Sequence, residues 1–460
     1  MLSQRSFRWL SALVAVPAAT ALLFAGSFSP RPAAADGEGD LRIDVAADPD
    51  TPTFYEDVLP ILQENCQACH QSQGLNLGGM VAPMALVTFE ETRAWAPLIA
   101  YAVEDGRMPP WHADRQHEGT FRGERYLDLQ EKETLIAWAR NGAPAGDPTK
   151  APSPPEHVRT LEEGEWWIGE PDLVLEVDFC LDDDVHDLYQ NVTVEITEEM
   201  MPEDRWVAAV EYRVGSAVHH ILGGVGGLVP GQEPRIYEDG HGRLFQAGPR
   251  QLVFNMHYNK EPGPGTGHCP LTEVGVTFRE DGDVIRYITR GEDLGIMDFV
   301  IPAGDPNYSA TKEYVFEEDS YLLSFLPHMH LRGKAIEIEM EYPDGASEVI
   351  LSVPEYDFNW QHTYAFKEPP LVPEGSKLTM TLWWDNSEDN PHNPDPTENV
   401  TWGLPTYAEM GYGFMQYRPV EERHIVVGEE ITDELLQATE GSENEHPSED
   451  PRDHDTHHDH

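Results

Sequence analysis

Residues Ile336 to Gly345 read Ile-Glu-Ile-Glu-Met-Glu-Tyr-Pro-Asp-Gly. Apolar Ile336, Ile338, Met340 and Tyr342 alternate with Glu337, Glu339 and Glu341. Successive side chains of a strand point to opposite faces, so this stretch turns one apolar face to a core and one acidic face to water. The Pro343-Asp344-Gly345 turn ends it. Working outward, Leu173, Leu175 and Val177 alternate with Val174 and Glu176, and Val192, Val194 and Ile196 repeat the theme. Many such strands, frequent Gly/Pro turns and few helical stretches between residues 165 and 428 predict antiparallel β-sandwiches. The length suits two, over 165–294 and 295–428.

Upstream, Cys66-Gln-Ala-Cys69-His70 is a C-x-x-C-H. Two thiols at this spacing add across haem vinyl groups, and the adjacent histidine ligates the iron. A zinc site would need two further ligands nearby, and the next cysteine is Cys180. Residues 52–147 are expected to fold as a compact helical unit around a covalent haem c. A short helix begins over Thr53 to Leu62 and runs towards Cys66. Asp128 and Glu131 make a D-x-x-E cap, Leu135, Trp138 and Ala139 share one helical face, and Gly142 with Pro144 stops that helix. The unit resembles a small class I cytochrome c domain. Met108, in Arg107-Met108-Pro109-Pro110, is the favoured sixth iron ligand, with Met80 and Met84 as competitors.

The remaining segments carry targeting and spacing. Arg5 and Arg8 precede the apolar stretch Trp9 to Phe28, and Ala33-Ala34-Ala35 offers a cleavage site, so 1–35 reads as an export signal, with an uncleaved anchor as its rival. Residues 36–51 read as a flexible leader, 148–164 as a Pro-rich linker, and 429–460 as an acidic tail too poor in apolar residues to fold. That tail holds His446, His454, His457, His458 and His460, which offer at most loose metal scavenging. Export implies a periplasmic or secreted protein, and no later segment is apolar enough for stable membrane insertion. Cys180 and Cys269, left over in an oxidising compartment, are expected to pair.

The 460 residues carry 83 acids against 30 Lys and Arg, a net charge of −53. Removing 1–35 takes away Arg5, Arg8 and Arg31 and no acid, which moves the charge to −56. Such a chain repels phosphates and anionic lipid, which excludes nucleic acid as a partner. The acids are spread over every domain, as on a salt-adapted surface.

Four clusters in the β region carry metal-ligand chemistry: His219-His220, His257, His328-Met329-His330 and Met410. His328 and His330, two apart, face one way while Met329 faces the other. Adjacent His219 and His220 need a bulge or a strand end to meet at one ion, and the Gly-rich run from Gly223 to Gly227 permits irregular backbone there. Each cluster alone is weak, and His362 and His392 read as bystanders. Together they supply five imidazoles and a thioether, a donor set that suits copper and its cuprous state.

Residues 165–428 resemble the copper type II, ascorbate-dependent monooxygenases, the family of peptidylglycine α-hydroxylating and dopamine β-monooxygenases. The resemblance implies two β-sandwiches, each with one copper, facing across an open cleft. It implies a first, electron-relaying copper on His219, His220 and His257. The second, oxygen-binding copper takes His328, His330 and Met410, which become the catalytic residues. Where the peptide-amidating enzymes hold a peptide carboxylate with arginine, this chain has Leu326. The expected activity is hydroxylation of a C–H bond of a small organic substrate with O2. Electrons would come from an external donor, an ascorbate-like reductant or a redox protein, through the fused haem. A non-catalytic electron-transfer or copper-binding protein is the alternative, and a zinc hydrolase on the H-x-H leaves the haem without a role.

Overall fold

The computed structural model describes residues 51–71, 82, 84–154, 165–215, 217–229, 232–429 and 431. The export signal, all but the last residue of the leader, Met80, part of the linker and nearly all of the tail lie outside the described residues. Among the described residues no helix is long and apolar enough to cross a membrane.

The chain is mostly β-sheet, with its helices gathered at the N-terminal end. A π-helical turn over Phe54–Val58 leads into α1 (Leu59–Asn65), whose end delivers Cys66. α2 (Phe89–Glu104) opens on a reciprocal capping box between Thr88 and Glu91. α3 (Leu129–Arg140) opens on the expected one between Asp128 and Glu131. Leu135 and Trp138 of α3 are fully buried against Phe54, Leu62 and Val103, and Gly142, in a left-handed conformation, ends the helix. The segment after α3 folds back, with Lys150 paired to Glu56.

In the first half of the β region, the strands Leu173–Glu176, Thr272–Phe278, Arg205–Val214 and His241–Phe245 belong to one sheet. Asp187–Ile196, Arg250–Asn259 and Val218–Gly223 form a second. The two face each other over one core, with Leu175, Val210 and Val276 from the first against Ile196, Phe254, Met256 and Tyr258 from the second. Alternation along Arg250–Asn259 is strict: Leu252, Phe254, Met256 and Tyr258 point inward, which sends His257 to the outer face. The Cys180–Cys269 disulfide forms beside the Leu181–His268 bridge and staples this half.

In the second half, Tyr308–Val315, Lys377–Trp384, Gly333–Glu341 and Ser347–Val353 form a sheet that presents Ile336, Ile338, Met340, Met380 and Leu382 to the core. Across it, the sheet containing Ser320–Met329 and Gly411–Pro419 contributes Leu322, Phe325, Met329 and Met415. The chain crosses between halves after Tyr287–Ile288, because Arg290–Asp293 already pairs with Gly411–Pro419. Near the C-terminus Ile425–Val426 returns to pair with Val284–Ile285, packing Val427 against Trp206.

The helical unit does not stand apart. Phe121 is fully buried in the second half's core and bridges to Phe366, while the Arg122 N–H donates to the Ala365 carbonyl at 2.7 Å. Trp111 packs edge-on against Tyr364, 5.4 Å between ring centres. Arg122 pairs with Glu238, and the buried Arg125 lies 3.8 Å from Glu233, both acids in the first half.

Candidate metal centre

The bulge expected at His219-His220 is present. Val218 pairs with Tyr258 and His220 with His257, so the strand advances two residues while its partner advances one. His219 is thereby swung to the side of His220 and His257. Their Nδ1 atoms converge, with His219 and His257 standing 3.1 and 3.4 Å from His220. Nitrogens bound at about 2.0–2.1 Å around a tetrahedral ion would be spaced by about 3.3 Å, so this is the separation of ligands. All three lie within 4.8 Å of one another.

Partners fix the ring orientation. His257 Nε2 donates to Asp187 Oδ1 at 2.5 Å, which leaves Nδ1 as the lone-pair nitrogen facing the cluster. Asp187 Oδ2 accepts from Thr406 Oγ1 at 2.6 Å, a bond from the first half to the second. His220 Nε2 is buried without a hydrogen-bond partner.

The second set sits on the outer face of the Ser320–Met329 sheet. His328 pairs with Tyr412 and Met329 with Gly411, so His330 and Met410 come next on the two antiparallel strands. Alternation gives His328 and Tyr412 one face and sends Met329 into the core, the His330 ring stands 5.4 Å from that of His328, and Met410 is buried just before the strand Gly411–Pro419. His328 Nδ1 donates to Gln361 Oε1 at 2.6 Å. The Gln361 amide is oriented by its own donation to the Phe358 carbonyl at 3.0 Å, so the lone-pair nitrogen of His328 is Nε2. Glu409, fully buried beside Met410, accepts from the His330 and Arg332 N–H groups at 2.9 and 2.6 Å and from the Trp384 indole at 3.2 Å.

The two outer faces meet. The His220 and His328 rings are 5.2 Å apart, and Tyr189 spans the sets, its ring stacked on His257 at 4.1 Å and its hydroxyl 3.4 Å from His330 Nε2. The resemblance implies copper sites apart across an open cleft, whereas here the five imidazoles are contiguous. Phe358 stacks on His219 at 4.6 Å and meets the His330 ring edge-on at 5.9 Å. Burial holds the His219 pKa down at about 3, with the neighbouring imidazoles adding repulsion. It also holds His220 and His330 well below the usual histidine range and lowers His257 against the pull of Asp187. Near neutral pH all four are neutral, the form that binds metal.

At the cysteines, Cys69 and His70 donate their N–H groups to the Cys66 carbonyl at 3.1 and 3.0 Å, which winds both thiols onto one turn. Neither cysteine is in a disulfide, and burial pushes the Cys66 thiol up to about 12. His70 Nδ1 donates to the Met84 carbonyl at 3.1 Å, leaving Nε2 as its lone-pair nitrogen. Met84 therefore orients this histidine through its backbone. Met108 follows α2, its N–H on the Ala102 carbonyl at 3.2 Å.

Sequence reasoning missed Asp187, Tyr189, Gln361 and Glu409. Asp187 and Tyr189 open the strand whose later residues show the apolar alternation, a position from which they reach His257. Gln361 is followed by a histidine but carries no motif.

No protein-family profile matches the chain, and no curated protein matches it. Among solved structures, a Paenibacillus xanthan lyase aligns at 8% identity and a TM-score of 0.17, over 52% of this chain and 23% of its own. The infectious bursal disease virus VP2 subviral particle aligns at 8% and 0.18, over 54% and 70%. A two-domain protein of unknown function from Bacteroides fragilis aligns at 8% and 0.15, over 52% and 94%. The chain thus spans about a quarter of the xanthan lyase. Likeness at this level carries no argument about function.

Proposed function

We propose that the protein is an exported, copper-dependent monooxygenase of the kind its motifs resemble, two β-sandwiches preceded by a cytochrome c-like unit. One observation carries the reading: three imidazole Nδ1 atoms converge at ligand spacing on one sheet, and the His220 ring stands 5.2 Å from His328 of the H-x-H on another. His219, His220 and His257 would hold one copper, and His328, His330 and Met410 a second. Imidazole and thioether donors suit an ion that cycles between cupric and cuprous. When bound, copper would supply one-electron redox chemistry and O2 activation towards a C–H bond. Cys66, Cys69 and His70 would hold haem c, with Met108 as its sixth ligand, to supply electrons singly from an external donor.

The chain's own residues prepare the site. Asp187 and Gln361 set the tautomers, Glu409 fixes the turn that carries His330, and half-buried Tyr189 and Phe358 pack against the imidazoles of both sets. Leu326 pairs with Phe414 next to His328 and Tyr412, an apolar wall that favours an uncharged aliphatic or aromatic substrate over a carboxylate.

The burial of His220, His257, His328 and His330 favours a second reading, an electron-transfer centre closed to substrate. Metal and spectral analysis of the copper-reconstituted mature protein, then oxygen uptake with an external reductant, separates the two. One haem and two coppers, with Met410→Ala weakening one copper selectively and oxygen consumed in proportion to product, is the expected result. Full loading without product formation leaves the electron-transfer reading, and zinc or no stoichiometric copper overturns both.

A further inference from the structure

His362, which reads as a bystander in the sequence, stands where the helical unit meets the imidazole cluster. It is buried, and its Nε2 lies 3.2 Å from the Pro110 carbonyl. A carbonyl only accepts, so Nε2–H donates. Pro110 is two residues beyond Met108. On the other side of His362, the preceding residue is Gln361, whose Oε1 accepts from His328 Nδ1 at 2.6 Å. Met108 and the His328 imidazole are thus joined by short runs of backbone and two hydrogen bonds. Aromatic rings close around this link: Trp111 stands 5.3 Å from His362, and Trp360 stacks on it at 6.2 Å and 19°. The same segment reaches the other imidazole set through Phe358 on His219.

The cysteines and His362 feel one common cation. Burial dominates the raised pKa of Cys66 and Cys69 and the depressed one of His362, about 3, and the Arg125 guanidinium bears on all three. One buried cation therefore lies within electrostatic reach of both the haem-attachment turn and His362.

We infer that Pro110, His362 and Gln361 form the route by which electrons pass from the Met108 loop to the imidazole cluster. The inference rests on the proposed haem and copper sites. One electron moves per event and no proton: loss of an electron by ferrous iron on the Cys66–Cys69–His70 side balances its gain by a cupric ion at the imidazoles. An external one-electron reductant restores the donor side. Both tautomers stay fixed, because the hydrogens on His362 Nε2 and His328 Nδ1 remain in their hydrogen bonds throughout.

The test uses the full mature chain loaded with haem and cupric ion, with both stoichiometries measured first. Under anaerobic conditions a substoichiometric photochemical reductant reduces the haem. Its reoxidation is followed by visible absorbance, and loss of the cupric signal by electron paramagnetic resonance. His362→Phe keeps a ring but removes the donor to Pro110, and should slow reoxidation by an order of magnitude or more at unchanged haem spectrum and copper content. His362→Gln keeps a donor and should stay close to wild type. If His362→Phe does not fold, His362→Met supplies the same comparison. A donor-lacking variant that is fully loaded yet reoxidises at the wild-type rate overturns the route alone, as does a His362→Gln as slow as His362→Phe. Wild-type protein without haem or copper overturns the underlying sites, and the route with them.

Discussion

At the residue scale, the histidines were legible and their partners were not. His328 and His330 declare themselves by a spacing of two, but Asp187 lies 70 residues before His257, and Gln361 lies 33 after His328. No local pattern links such pairs; only strand pairing and a loop bring them together. Their effect is nonetheless direct. Asp187→Asn leaves His257 with a partner of altered donor and acceptor character and removes the charge that raises ligand basicity. On the proposed copper sites, affinity at the first set should weaken by about 10–100-fold, read by competition titration, while that at the Met410 set is retained. Glu409 acts at a distance of one residue from Met410. Glu409→Ala strands two backbone N–H groups and an indole in a dry environment. It should cost about 3 kcal/mol of unfolding free energy in urea titrations.

At the element scale, period two carried the reading well. Gly333–Glu341 buries Ile336, Ile338 and Met340, and Leu173–Glu176 alternates buried and exposed. The cap of α3 was written in Asp128 and Glu131, whereas α2, the longest helix among the described residues, was not anticipated although Thr88 and Glu91 spell the same signal. Its interior Pro97 and mixed surface hide the period. A glycine turn follows directly on the bulge that gathers His219 and His220. Gly224 sits at φ +61°, and a Cβ there would fall on the Phe254 ring. Gly224→Ala forces either the ring or the turn to move. It should lower stability by about 1–3 kcal/mol, seen as an earlier urea midpoint, and should loosen the proposed copper at the first set.

At the scale of the whole molecule, two linkages set stability. Cys180 and Cys269 are 89 residues apart, and opening a loop of that size returns about 4–5 kcal/mol of chain entropy to the unfolded state. Unfolding in urea with and without a thiol reductant should reveal a loss of that order. The second linkage is to protons. His362 has a folded pKa of about 3 against an ordinary 6.5, so between those values the unfolded chain binds a proton that the folded chain refuses. Its contribution is fully present above pH 6.5 and is lost as pH falls towards 3, at about 1.4 kcal/mol per pH unit. Carboxylates in this acidic chain titrate in the same range. The comparison is therefore wild type against His362→Phe, whose stability relative to wild type should rise as pH is lowered.

The β character of the larger part was legible from its period of two, and a helix of the smaller part from the Asp128 and Glu131 cap. The docking between them was not, because a linker rich in proline says nothing of what its ends touch. That docking bears on how such a protein can be rebuilt. Phe121 and Trp111 plug the second half from outside, so residues 51–147 are a cork as much as a cargo. Cutting them away would uncork Tyr364, Phe366 and His362, and a truncated β part would be sticky. Any substitute module spliced in front must bring its own stopper.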